Sequence, residues 1–315
     1  MLDYLRALHE RVLPLRDGET AGYIPELARA DPDRFGISVV TTDGRSFEVG
    51  DHDAAFSLQS ISKPLVYGLA LESIDSSELE ERVGVEPTGD PFNSIVKLDR
   101  SGRPHNPLIN PGAIAVTDLI AAGDAEAGRA QITAMLGRYA GRPIAFDKAV
   151  FRSERETGHR NRAIAHLLRQ FGRFDGPLED SLDLYFRQCA ARVTAHDLAV
   201  VGATLANAGA NPVTGARALG ERHVGPVLSL MLSCGMYDYS GQWAYRVGLP
   251  AKSGVGGGIC VVVPGRMGIG VYSPRLDERG NSVRGLAAVE AMSRHYCLHV
   301  FGRDRSCASL GAALG

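Results

Sequence analysis

Apolar positions recur with two different periods along this chain, and the changes of period mark out its architecture. Residues 2 to about 16 place Leu2, Leu5, Leu8 and Val12 at helical spacing until Pro14 and Gly18 stop the run, which predicts a packing helix. Ile37-Ser38-Val39-Val40-Thr41 and Ser46-Phe47-Glu48-Val49 have strand character, and Asp43-Gly44 between them predicts a hairpin. From Ser60 to about Met236 helical spacing takes over. Ile164, Leu167, Leu168 and Phe171 mark one helix, and Leu182, Tyr185, Phe186, Cys189 and Val193 a second. A third begins at Thr194, where Asp197 supplies a variant capping box, and ends at Ala208-Gly209. Strand character returns in 258–263 and 267–272, around the turn Pro264-Gly265-Arg266, before a closing helix from about Ser282 to Val300.

Strands at both ends with helices between them predict an α+β fold. One antiparallel sheet is built from the N- and C-terminal segments and flanked by helices, with a mainly helical lobe inserted. The expected layout is a single domain over 1–315, with a sheet lobe from 1–58 and 240–302, a helical lobe from 59–239 and a tail from 303–315. Its natural cleft lies between sheet and helical lobe.

Composition narrows the class. With 315 residues, 44% hydrophobic, and a formal charge of -2, the chain can bury a large core but has no basic excess for a nucleic acid or an anionic membrane. Its acidic N-terminal helix and the lack of a long apolar run predict a cytoplasmic protein. The five cysteines, at 189, 234, 260, 297 and 307, form no C-x-x-C pair, which predicts reduced thiols rather than a disulfide framework. His295 and His299 flank Cys297 but lack a second half-site, so they are assigned to a helix surface and not to a metal.

The candidate chemistry centres on Gln59-Ser60-Ile61-Ser62-Lys63, where Ser60 and Lys63 stand one helical turn apart with Ile61, Leu65 and Leu69 behind them. A serine hydroxyl needs a base within reach, and a lysine serves only if neutral, which at pH 7 means disfavouring its charge by about 4 kcal/mol. Burial and a second cation both act in that direction, and Lys252 is the candidate second cation. The same spacing recurs at Ser94 and Lys97, so the pair carries little by itself. Further stretches add to it. Cys234-Gly235-Met236-Tyr237-Asp238 and Pro250-Ala251-Lys252-Ser253-Gly254-Val255 lead through a glycine run into a strand, an order that suits an oxyanion site and not a phosphate loop. Asn106-Pro107-Leu108-Ile109-Asn110-Pro111 turns into a helix, and Glu154 and Asn161 share a helical face if Gly158 leaves that helix continuous. Tyr185 lies on the apolar face of its helix.

Together these motifs, in order from about Gly22 to Gly302, resemble the glutaminase family of serine-dependent glutamine amidohydrolases, which shares its fold with serine β-lactamases and penicillin-binding proteins. The resemblance implies hydrolysis of L-glutamine to L-glutamate and ammonia through a Ser-Lys acyl-enzyme, with no metal or organic cofactor, in a homo-oligomer, dimer or tetramer. It implies Ser60 as nucleophile, Lys63 as base, Tyr237 as proton relay, and the N–H groups of Ser60 and Val255 as oxyanion hole. Tyr23, Asn110, Glu154, Asn161 and Tyr185 would hold the amino-acid end of the substrate. The chain departs from the family at Pro111, where a small residue such as alanine is usual. The alternatives are a penicillin-recognising hydrolase with the same serine and lysines, and a catalytically silent glutamine sensor.

Overall fold

The computed structural model describes residues 1–89, 98–302 and 307–314; the second Ser-x-x-Lys pair, Ser94 and Lys97, lies outside them. The predicted hairpin forms as β1 (Gly36–Thr41) and β2 (Ser46–Gly50), with Thr41 and Asp43 side chains bonded inside its turn. A two-residue strand β3 (Phe56–Ser57) pairs with β4 (Arg192–Val193) outside the main sheet. Near the C-terminus β5 (Ala251–Gly254), β6 (Gly258–Val263) and β7 (Met267–Tyr272) follow in succession. The main sheet is antiparallel throughout, in the order β2-β1-β7-β6-β5, so β1 against β7 joins the two ends of the chain.

Alternation along the central strands sorts their side chains to two covered faces. Ile259, Val261, Ile269 and Val271 pack with Leu5, Leu8 and Val12 of the Leu2–Val12 helix and with Ala288 and Met292 of the Val283–Tyr296 helix. On the other face Gly268 and Gly270 leave so little bulk that the Ala195–Ala206 helix lies almost against the strand. A Cβ at Gly268 would stand 2.1 Å from both Ala199 O and Ala203 N. This helix, allotted by its sequence to the inserted lobe, is therefore a layer of the sheet, because its small residues match the glycine side of β7.

Thr194 caps that helix as its spacing predicts: its hydroxyl accepts from Asp197 N at 3.1 Å while Asp197 accepts from Thr194 N at 2.8 Å. Arg142 closes on the same carboxylate at 2.7 and 2.5 Å. The helix ends at Ala206, two residues before the predicted Ala208.

Two expectations are corrected. Cys189, Cys234 and Cys260 are free and buried, but Cys297 and Cys307 are joined in a disulfide. Cys297 ends the Val283–Tyr296 helix with a left-handed φ of 48°, which turns the chain back and leaves the two Cα atoms 5.8 Å apart. The segment expected to be a tail closes in a short helix, Leu310–Leu314, with Leu310 buried in the core under the sheet and Ala313 O accepting from the Met1 ammonium at 2.8 Å. His295 stacks on Tyr4 with ring centroids 4.2 Å apart, and among the described residues no cluster of His, Cys, Asp and Glu could hold a metal ion. None of the described helices is long and apolar enough to cross a membrane.

Replacing Thr194 by Ala removes one arm of the capping box and is expected to cost about 1 kcal/mol. A urea titration should show a lower midpoint at unchanged slope.

Candidate active site

Ser60 sits in a single 3-10 turn, Gln59–Ile61, that runs directly into the Ser62–Ser73 helix. The residue before it, Gln59, is held at φ 52°, a left-handed conformation that costs a non-glycine residue about 1 kcal/mol. Its own bonds hold it there. Its buried side-chain amide donates to Glu154 Oε1 at 2.7 Å and to Ser57 Oγ at 3.2 Å, and its carbonyl accepts from Ser62 Oγ at 2.8 Å.

Lys63 occupies the first turn of the helix and is 2% exposed. Its Nζ donates to Asn110 Oδ1 at 2.6 Å and to Leu108 O at 3.4 Å, and Asn110 Nδ2 in turn donates to Asn161 Oδ1 at 3.2 Å. Burial pulls the Lys63 amine down to about 8, against the opposing pull of Cys189 and Glu154. The repulsion between Lys63 and nearby Lys252 is mutual, so a second cation adds to burial in disfavouring two charges here. Lys252 is wholly buried, and burial first and the Lys63 charge second hold it well below its ordinary value. Its Nζ donates to Gly235 O at 2.9 Å and Ser253 O at 2.7 Å beneath the Tyr237 ring, 4.1 Å from the centroid.

Tyr237 comes from a second strained turn, with φ 57°, held by Ser240, whose hydroxyl donates to Tyr237 O at 2.8 Å and accepts from Met236 N at 3.0 Å. The phenol donates to Ser253 O at 3.2 Å and shares a hydrogen bond with the Ser60 hydroxyl. Burial pushes its pKa up, so it stays a neutral phenol at ordinary pH.

Val255 follows β5, the strand hidden in the glycine-rich stretch. A Cβ at Gly254 would come to 2.9 Å of Leu58 O and one at Gly256 to 2.5 Å of Ser57 O, so glycine is what lets this turn lie against the segment leading to Ser60. Among the described residues neither the Ser60 N–H nor the Val255 N–H donates to a backbone carbonyl. Both are available to an oxyanion.

The helix that carries Glu154 (Lys148–Thr157) is capped by Asp147, and Asn161 belongs to a separate helix, His159–Gln170. Gly158 separates the two helices with a non-helical ψ of 27°, and a Cβ there would stand 2.6 Å from Glu154 O and from the Phe186 ring. Both side chains still reach one cleft. Burial lifts the Glu154 carboxyl to about 7, with the Gln59 hydrogen bond and the charge of Lys63 pulling it down. Pro111 falls in the first turn of the Asn110–Ala121 helix, where an N–H has no intrahelical partner, so it leaves Asn110 free to turn both amide atoms inward.

Tyr185 is buried and hydrogen-bonded to Cys189 one turn on, and Tyr23 stands half-exposed at the rim. All nine residues from Tyr23 to Val255 singled out above line a single cleft of about 780 Å³; Lys252 lies behind it. The cleft also holds groups given no role beforehand, among them Gln59 and Cys189. A polar Gln between buried Leu58 and Ile61 was the available sign of the first, and the i+4 spacing from Tyr185 of the second.

A family model described as Glutaminase matches residues 18–301. The chain is 54% identical over 299 residues to a glutaminase of Microcystis aeruginosa, covering 95% of this chain and 88% of that protein. A solved structure described as the probable glutaminase ybaS superposes with a TM-score of 0.92 at 42% identity, over 96% of this chain and 98% of that one. The crystal structure of Mglu in its glutamate form gives the same TM-score of 0.92 at 42% identity, over 96% and 70%.

With the cleft empty, a 13C NMR titration should find the Glu154 carboxyl protonating with a midpoint about 7, neutral below and charged above. The transition should vanish in Glu154→Gln; a midpoint in the ordinary range near 4.5 would show that burial does not govern it.

Proposed function

The chain belongs to the glutaminase family, and from that membership together with the geometry of the cleft we propose that it hydrolyses the side-chain amide of L-glutamine to L-glutamate and ammonia, with Ser60 as the nucleophile. The observation that carries this reading is the Ser60 hydroxyl, hydrogen-bonded to Tyr237, in the same cleft as the buried carboxylate of Glu154. An amino-acid amide needs a carboxylate for its ammonium and neutral donors for its carboxylate. Glu154 meets the first need, and the amides of Asn110 and Asn161 with the phenols of Tyr23 and Tyr185 meet the second.

In this mechanism Ser60 Oγ attacks the amide carbon as its proton leaves through the Tyr237 phenol toward Lys63, whose amine at about 8 lies close enough to neutrality to accept it. A C–O bond forms, and the carbonyl oxygen takes the negative charge between the Ser60 and Val255 N–H groups. The C–N bond then breaks as the proton returns to the departing ammonia. Water attacks the resulting glutamyl ester by the reverse path, giving glutamate and restoring the hydroxyl.

Asn110 has two tasks in this scheme. It fixes Lys63 in the empty cleft through its Oδ1 and presents its Nδ2 toward Asn161 and the substrate. Lys252 holds the carbonyls of Gly235 and Ser253 and supports the Tyr237 ring from behind.

Ser60→Ala should lower ammonia and glutamate release from L-glutamine by at least about a thousandfold, the scale of losing a nucleophile and its charge relay. Circular dichroism should show the variant folded. Near-normal turnover by that folded variant would sink the assignment, and covalent labelling of Ser60 by a fluorescent penicillin together with failure to hydrolyse glutamine would move the chain to the penicillin-recognising class.

A further inference from the structure

A second cavity, of about 530 Å³, lies behind the wall that carries Val255, and Val255 lines both it and the catalytic cleft. The partition between them is a small apolar cluster in which Ile24, Val150 and Val255 pack together. Each of these is tied to the cleft: Ile24 follows Tyr23, Val150 is one helical turn before Glu154, and Val255 supplies the N–H toward the oxyanion. The inner wall of the second cavity is aromatic, Phe56 stacked on Tyr272 with ring centroids 4.2 Å apart and the planes 1° from parallel.

The rim is charged, and its charges are unequally satisfied. Arg29 is engaged by Glu26 at 3.0 Å, and Asp147 by the N–H groups of Ala149 and Val150 at 2.9 and 3.1 Å. Arg34 is only loosely held, 3.9 Å from Asp31, and Arg192 has no carboxylate partner among the described residues. Two guanidinium groups with coordination to spare therefore overlook an aromatic wall. A guanidinium binds a carboxylate through paired N–H donors, and a flat apolar body fits against the stacked rings.

We propose that this second cavity binds a small organic monocarboxylate with an aromatic or apolar body, its carboxylate held by Arg192 and Arg34, and that occupancy alters turnover by shifting the shared Val255 wall. The close approach of Gly256 to Ser57 O, where even a methyl group would stand 2.5 Å away, leaves the wall no slack. Displacement on the outer side must therefore reach the segment that leads to Ser60. The binding stands on the second cavity alone, while the coupling rests on the reading of the catalytic cleft given above.

The test uses the full chain with phenylacetate as probe and its neutral counterpart phenylacetamide as control, at constant ionic strength. Calorimetry should find saturable phenylacetate binding that persists under saturating L-glutamate. It should weaken about tenfold for phenylacetamide and in Arg192→Gln, as removal of a charge-assisted hydrogen bond implies. Arg192 is exposed and outside the catalytic machinery, so R192Q should keep its basal kcat and KM within about twofold. Phenylacetate should change kcat in the wild type and not in R192Q. No saturable heat, equal binding of the amide, an unaltered R192Q affinity or competition by L-glutamate would overturn the site, and saturable binding with unaltered kcat and KM would overturn the coupling. Because the calorimetry does not depend on turnover, its failure is separable from a failure of glutamine hydrolysis.

Discussion

The candidate active site depends on one backbone-to-backbone approach, that of the Gly254-Val255-Gly256 turn to Ser57 and Leu58. Any side chain at the two glycines would collide with the carbonyls of that segment, at 2.9 and 2.5 Å, so the contact exists only because both are glycine. The turn is the end of β5, fixed by pairing with β6, and the segment is the lead-in to Ser60, fixed by the β3–β4 pair and by Leu58 N donating to Ala191 O at 2.8 Å. Sheet and helices are thus registered against each other where two N–H groups have no backbone acceptor among the described residues. Precision of this kind is what electrostatic stabilisation of an oxyanion requires, since donors that must move lose most of their value.

Around that contact the cleft buries more ionisable groups than a core normally tolerates, and the pairing decides their charges. Desolvation alone would neutralise Lys63, Lys252 and Glu154. Of the two lysines Lys63 is the less affected, because Asn110 and Leu108 accept its hydrogens and Cys189 and Glu154 lie near enough to favour its charge. Lys252 has two carbonyls and a ring face that welcome a cation, opposed by full burial and by the Lys63 charge. The outcome is a lysine at about 8 and a carboxyl at about 7, both within reach of switching at physiological pH, which a proton-transferring site needs. Two of the five left-handed non-glycine residues among those described, Gln59 and Tyr237, flank the Ser60–Tyr237 hydrogen bond, so strained backbone stands where these side chains have to be aimed.

Features governed by local chemistry could be read from the sequence, and features governed by distant partners could not. The hairpin, the β6–β7 pair and the Thr194 capping box each carry their cause within a few residues, and each stands where the pattern put it. β5 was invisible because Ala-Lys-Ser-Gly has no apolar alternation and all four residues are buried by neighbours far away in the chain. β3 and β4 are two residues each, too short for any period to declare. The Cys297–Cys307 bond depends on a turn set by a left-handed cysteine, which nothing in the spacing announces. The residues that meet in the cleft were singled out through a family resemblance; their bonding was not legible, and Gln59 shows why. Its task is to hold Glu154, 95 residues away, and only the folded chain brings the two together.

The bonds formed in the empty cleft bear on what it can select. Lys63, Asn110 and Asn161 satisfy one another in sequence, and Gln59 already occupies one oxygen of Glu154. A ligand entering this site therefore does not fill a set of vacant donors; it must offer more than the protein's own groups offer each other. On the proposed reading an ammonium does so at Glu154, because a buried carboxyl near 7 gains an opposite charge in direct contact where it previously had the Gln59 amide and the more distant Lys63. A simple amide without an ammonium would bring no such gain and would leave Glu154 titrating about 7. On the proposed reading, discrimination for an amino acid over other amides rests on the desolvation of Glu154 as much as on the shape of the cleft, and Gln59 sets its degree by deciding how much of that carboxylate is already satisfied.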